Sequence, residues 1–242
     1  MKPEIFFVSS YELDAEKNWE RLRRCAPHAR RISGMASIHA AYAACADAAG
    51  SPHFFMVDGD NWLMDGFAFD LDFEPNPREV TVWRARNPVN GLAYGNGAIK
   101  LLPTVMTGIA VRSGGIDVGT SIAPTYRVVE IVASEHRFNT TAFDAWRTAF
   151  RECVKLSANA IGLQNHATTA ARLATWCADA SVCAGSPAYA DWCVTGAREG
   201  RLYGERHAGQ PAAMARINEF AWLRMLWAAR NPAAGGGLDR DR

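Results

Sequence analysis

Residues 53–62, HFFMVDGDNW, constrain the fold more than any other stretch of the chain. His53–Val57 is a short apolar run that reads as a buried strand ending at Asp58. A strand of this kind belongs in an α/β sheet with crossover helices. The surrounding pattern agrees. Glu4–Ser9 reads as an opening strand, and 14–25 as a polar helix with Trp19 and Leu22 on one face. Ser37–Ala49 is an Ala-rich helix. Further β runs are expected at Glu79–Arg84, Leu101–Val105 and Val128–Val132. From Thr141 onward the pattern turns helical almost throughout. Phe143, Trp146, Phe150 and Val154 recur at spacings of three and four behind the capping side chains of Asn139-Thr140-Thr141. Later helices are expected near 158–179 and 211–229. The division is therefore an α/β region over 1–137, a helical region of the same domain over 138–232, and a disordered Gly-rich tail over 233–242.

Composition narrows the function classes. The 242 residues are 49% hydrophobic and 21% charged, which excludes a wholly disordered chain. With 26 Lys and Arg against 25 Asp and Glu, the net charge of +1 argues against a protein that works by coating nucleic acid or an anionic membrane. It leaves room for a local basic groove. The N-terminal apolar run, Ile5–Val8, is too short for a signal peptide or a membrane span, so the expected location is the cytoplasm and no membrane partner is expected. The six cysteines form no CxxC pair or Cys/His zinc spacing, and they read as reduced, mostly buried thiols.

The strand at 53–58 delivers two carboxylates, Asp58 and Asp60, to its carboxyl end, which is the edge where open α/β sheets bind ligands. Hard oxygen ligands of this kind suit Mg²⁺ or Mn²⁺ beside a diphosphate. The same triplet also reads as a strand-ending turn, since Asp-Gly is a common turn dipeptide. A second block, WRARNPVNGLAYGNGAIKLLP, mixes cations, amides and glycines densely. Trp83 ends a β run and adjoins a polar loop. Arg84, Arg86 and Lys100 offer positive charge for phosphate, and Asn87 and Asn90 offer amides for sugar hydroxyls. The spacing fails that of a P-loop, and a hairpin with solvated cations is the plain alternative.

Strand, helix, Gly turn, Ala-rich helix and a strand with an acidic end together resemble the nucleotide-binding half of a GT-A glycosyltransferase, with Asp58-Gly59-Asp60 matching the Asp-x-Asp motif of that fold. Over most of the chain, DGDNWL, WRARNPVNGLAYGNGAIKLLP, FNTTAFDAWRTAFRECVKL and INEFAWL resemble a group of phage-encoded GT-A-like glycosyltransferases. The resemblance implies a GT-A-like (Rossmann-like) nucleotide-binding sheet with a helical C-terminal part. It implies metal-dependent transfer of a sugar from a nucleotide-sugar, UDP-type by expectation, to an acceptor hydroxyl. Phage context points to a hydroxymethylated pyrimidine in DNA as that acceptor, which would place the chain in the host cytoplasm. Asp58 and Asp60 would hold Mn²⁺ or Mg²⁺, with His136 as a third ligand in the manner of a late His in some GT-A enzymes. Ser9, at the end of the opening strand, joins Trp83, Arg84, Arg86, Asn87, Asn90 and Lys100 in the donor-binding set. Arg147, Arg151 and Lys155, four residues apart, align on one helix face. The resemblance adds Arg147 and Arg151 to the same set, although such a run is more often a solvated face.

Two groups are candidates for the acid/base step. Asp117 lies in GGIDVGTSI beside the Thr120-Ser121 hydroxyls, and Glu135 precedes His136 after the β run VVEIVAS. Residues 21–31 carry five arginines, read as an exposed helix end and loop rather than a nucleic-acid contact. A nucleotidyltransferase is the rival enzyme class, but FFVSSYELD contains no Gly for its usual N-terminal loop. A non-catalytic DNA-binding or phage structural protein with the same fold is the other rival.

Overall fold

The computed structural model describes residues 2–113, 118–160, 165–182, 185 and 187–231. The chain divides into two compact units, one reaching to Thr140 and the other beginning at Thr141. The expected tail at 233–242 lies outside the described residues. No helix among the described residues is long and apolar enough to cross a membrane.

The first unit is α/β. Its elements run β1 (Glu4–Ser9), α1 (Ala15–Cys25), β2 (Arg30–Ser33), α2 (Ile38–Ala48), β3 (His53–Asp58), β4 (Asn61–Leu63), β5 (Glu79–Arg86), β6 (Ala93–Tyr94), β7 (Ile99–Pro103), α3 (Thr104–Ser113), α4 (Val118–Ser121) and β8 (Thr125–His136). The strand order is β2-β1-β3-β7-β5-β8-β4, with β6 added to β5. β2, β1 and β3 run parallel, with Val8 opposite both Ile32 and Asp58. β7 is antiparallel to β3 and β5, and β8 is parallel to β5.

The apolar runs explain this layering. Along β1, Phe6 joins a core with Tyr42, Cys45, Phe54, Met56 and Leu102, while Ile5 and Phe7 point to the other face with Leu22, Phe55, Val57 and Leu101. α2 covers the first face and α1 the second, so β1 and β3 are buried on both sides and read as continuous rather than alternating apolar runs. Each fully buried Phe here stabilises the fold by about 1.5–3 kcal/mol.

Three element expectations need correction. The strand foreseen at 101–105 lies at Ile99–Pro103, and α3 begins immediately after Pro103. Thr104 anchors that switch, its N–H donating to Pro52 O at 2.9 Å and its hydroxyl to Ser51 O at 2.7 Å. Arg30 and Arg31 lie in an edge strand rather than a loop. Arg30 donates to Ala48 O, and Arg31 to Ser9 Oγ and Glu16. These two arginines of the 21–31 cluster are thus held by the fold. So is Arg21, which bonds Leu63 O and Asp65 and lies over the Trp62 ring.

The third correction concerns the helical unit. It contains α5 (Ala142–Ser157), α6 (His166–Cys177), α7 (Ala190–His207), α8 (Pro211–Ala215) and α9 (Phe220–Arg230). Thr141 caps α5 as expected, its hydroxyl accepting from Asp144 N–H at 3.0 Å. The long helix α7 was not foreseen at its position, because Gly196, Gly200 and Gly204 depress helix propensity. Their spacing of four lays them along one face against α5. A Cβ on Gly196 would meet Trp146 O at 2.2 Å, and one on Gly200 would meet Phe150 O at 2.3 Å. The two backbones approach this closely only because side chains are missing. Beyond this seam, Trp146, Trp192 and Trp227 form a contiguous aromatic group.

Gly200→Ala therefore forces α7 away from α5. It should cost about 3 kcal/mol, the upper end of overpacking penalties, and lower the melting temperature by about 6–12 °C in a thermal scan. An unchanged melting temperature would show that the seam is not tightly packed.

Candidate active site at the acidic strand edge

Because β1 and β3 are parallel, their carboxyl ends fall together, and Gly59 lets them touch. A Cβ at Gly59 would lie 2.9 Å from Ser9 Cβ, 3.0 Å from Val8 O and 3.1 Å from Glu12 Oε2. Asn18, buried on α1, clamps the same turn by donating from Nδ2 to Gly59 O at 2.8 Å. Asp58, Asp60 and Glu12 are thereby gathered at one edge. Crowding by the chain pushes the Asp58 carboxyl above its ordinary range, with Asp60 adding repulsion and Lys100 opposing. Burial raises Glu12 likewise, and Asp60 and Asp58 add to it, while the Ser10 N–H at 2.7 Å acts against the shift.

Lys100 is opposite Met56 on β7, which makes it the diagonal neighbour of Asp58 on the same face of the sheet. Its ammonium donates to Asp58 Oδ1 at 2.6 Å and to Gly97 O, and sits 5.4 Å from the centre of the Tyr42 ring. Its side chain is 3% exposed, against 40% for Asp58. The antiparallel pairing of β4 with β8 sets Asn61 against His136. His136 Nε2 meets Asp60 Oδ2 at 2.9 Å, and its Nδ1 faces Asn96 Nδ2 at 3.2 Å. Asn61 Nδ2 donates to Asp60 Oδ1 at 2.9 Å. Asp60 is thus held on both oxygens.

The structure brings Asp58, Asp60, His136, Lys100 and Ser9 to this edge, and corrects several roles. His136 uses both ring nitrogens on protein partners, Nε2 on Asp60 and Nδ1 on Asn96, and so orients Asp60. Glu135 is held on both oxygens by arginines. Arg86 donates to its Oε2 at 2.7 Å and Arg137 to its Oε1 at 2.9 Å. Those hydrogen bonds, outweighing burial, hold the carboxyl below its usual range. Trp83 offers no surface to a donor: it is 4% exposed and packs on Phe55 and Phe67 in the core. Arg84 pairs with Glu130 on the neighbouring strand. Asn87 Oδ1 accepts from Val89 and Asn90 N–H groups, and Asn90 Oδ1 from Leu92 N–H, so both carboxamide oxygens build the turn after β5. Arg147 and Arg151 serve the helical unit. Arg147 pairs with Asp144, Arg151 donates to Ile217 O and Asn218 Oδ1, and both lie over the Phe220 ring. Asp117 lies outside the described residues.

Glu12 and Asn18 were missed in the sequence. Glu12 stands three residues past the end of β1, so the rule that ligands gather at carboxyl strand ends pointed to it. Asn18 carried no signal, since a helical Asn is ordinarily a surface residue.

Asp58 and Asp60 supply hard oxygen donors, but among the described residues no three His, Cys, Asp or Glu side chains group to hold a metal ion. Two carboxylates are what this edge offers a divalent cation, a hard ion that takes oxygen ligands. Beside this edge an open cleft of about 370 Å³ lies between the Leu13–Asp14 turn, Pro88, and residues around Glu135 and Thr140.

No protein-family model matches the chain, and no curated protein matches it. Among solved structures, a glycosyltransferase involved in the glycosylation of the major capsid of PBCV-1 aligns with 53% of this chain and 82% of its own, at 13% identity and a TM-score of 0.36. At that score the likeness carries no argument about what this chain does.

The Asp58–Lys100 pair has an asymmetric cost. Removing Asp58 strands an ammonium without water, whereas removing Lys100 leaves a carboxylate that keeps solvent access. Asp58→Asn should destabilise by about 2–3 kcal/mol and Lys100→Met by less than half as much in denaturant unfolding. The reverse order would place the solvent-shielded charge on the wrong partner.

Proposed function

We propose that the chain is a GT-A-type glycosyltransferase that moves a sugar from a nucleotide-sugar to an acceptor hydroxyl. The observation that carries this reading is the Asp58-Gly59-Asp60 turn at the joined carboxyl ends of parallel β1 and β3, where α/β sheets bind nucleotides. The family resemblance of the same triplet supports it.

In the reaction, the acceptor oxygen bonds to the anomeric carbon as the bond from that carbon to the diphosphate breaks. The acceptor's proton passes to the departing diphosphate oxygen, and the nucleoside diphosphate leaves. Asp58 and Asp60 would hold Mn²⁺ or Mg²⁺, which supplies neutralising charge to the diphosphate. The remaining work belongs to the chain. His136 and Asn61 fix the rotamer of Asp60, and Lys100 fixes that of Asp58, so both carboxylates are oriented before substrate arrives. Lys100 also offsets their mutual repulsion, which keeps Asp58 more ionised than burial alone would allow. Gly59 lets the turn lie against β1 without a side chain between the two strand ends.

Asp60→Ala and Asp58→Asn should each lower donor turnover at least ~100-fold with folding intact by circular dichroism, with release of nucleoside diphosphate as the readout. Wild-type rates in either variant would remove the edge from the chemistry. Release of pyrophosphate instead would make the chain a nucleotidyltransferase.

A further inference from the structure

The cleft beside the acidic edge has a lining that selects what enters it. Its volume of about 370 Å³ falls in the range of small-molecule sites. Two of its walls are fastened to the edge. Arg137 N–H donates to Asp60 O at 2.7 Å, and Leu13 directly follows Glu12.

Its charges are spent on one another. Asp14 and Glu135 line the cleft against a single cation, Arg137. That guanidinium is already committed, with Nε on Glu135 Oε1 at 2.9 Å and its face 4.3 Å from the Trp62 ring centre. Arg86 reaches Glu135 from the other side. Lys17, which pairs with Asp14 at 2.8 Å, lies one turn along α1 and is exposed. A phosphate entering here would meet two carboxylates and cations already spent on them. A sugar hydroxyl would instead find carboxylate acceptors, together with the Asn139 carboxamide and Thr140 hydroxyl. Leu13 and Pro88 supply apolar surface for the C–H face of a sugar ring.

We propose that this cleft is the acceptor subsite and takes a neutral, polyhydroxylated carbohydrate rather than a phosphodiester. Its role as acceptor rests on the sugar-transfer reading; its selectivity for neutral polyols follows from the lining alone.

The test is calorimetry and ligand-observed NMR on the full chain. The neutral probes are methyl glucosides, galactosides and mannosides; the anionic probes are glucose 6-phosphate and a short DNA duplex. At least one neutral glycoside should bind, and more tightly than either anion. Asn139→Ala should weaken it about fivefold, the cost of one lost hydrogen bond, with Thr140→Val as a second variant should the first melt early. Tighter binding of the DNA or the sugar phosphate, absence of glycoside binding, or glycoside affinity unchanged in both variants would overturn the proposal. A UDP-sugar titrated in parallel separates the two readings. Donor binding without glycoside binding overturns the subsite alone, whereas glycoside binding without donor binding keeps the polyol cleft and removes sugar transfer.

Discussion

The close approach of two strand ends at Gly59 organises the rest of the site. β1 and β3 are parallel neighbours, so their carboxyl ends are level, but a side chain at residue 59 would collide with Ser9, Val8 O and Glu12 within about 3 Å. With glycine there, the turn folds flat against β1. Asp58 and Asp60 then share an edge with Glu12, and Asn18 closes the turn from α1. The site is a consequence of sheet topology and one missing methyl group. Its polar residues come from segments far apart in sequence.

Three carboxylates at one edge repel one another, and the fold answers with fixed partners. Lys100 reaches across from β7, and His136 and Asn61 hold Asp60 from the β4–β8 pair. The same habit of pairing recurs among the other described charges. Arg31 is spent on Glu16, Arg86 and Arg137 on Glu135, Arg147 on Asp144 and Arg230 on Glu199. Several cations that look grouped along the sequence are therefore shared out among local acids.

The α/β character was legible wherever hydrophobic pattern decides the outcome. HFFMV could only be a strand buried on both faces, and the stripe Phe143, Trp146, Phe150 and Val154 could only be a helix face. Asp58 and Asp60 were legible because a carboxylate following a buried strand emerges at its carboxyl end. Partnership was not legible. Nothing in WRAR or SEH reveals that Arg86 and Arg137 converge on Glu135, or that Lys100 answers Asp58 through a diagonal register. Those contacts depend on strand order, which local sequence does not encode. Trp83 misled for a related reason: a polar stretch follows it, but β5 is buried on both faces over Val80–Trp83. α7 escaped notice because its three glycines oppose helix propensity, and only packing against α5 makes them favourable.

The central claim is that the acidic edge binds a nucleotide-sugar with help from a divalent cation. Calorimetric titration of the chain with UDP-, GDP- and CMP-type donors, each with Mn²⁺ and with chelator, tests it directly. The account predicts saturable binding of one donor class that weakens at least ~10-fold when the metal is chelated. Absence of binding for every donor in the presence of Mn²⁺, or binding indifferent to chelation, would contradict it.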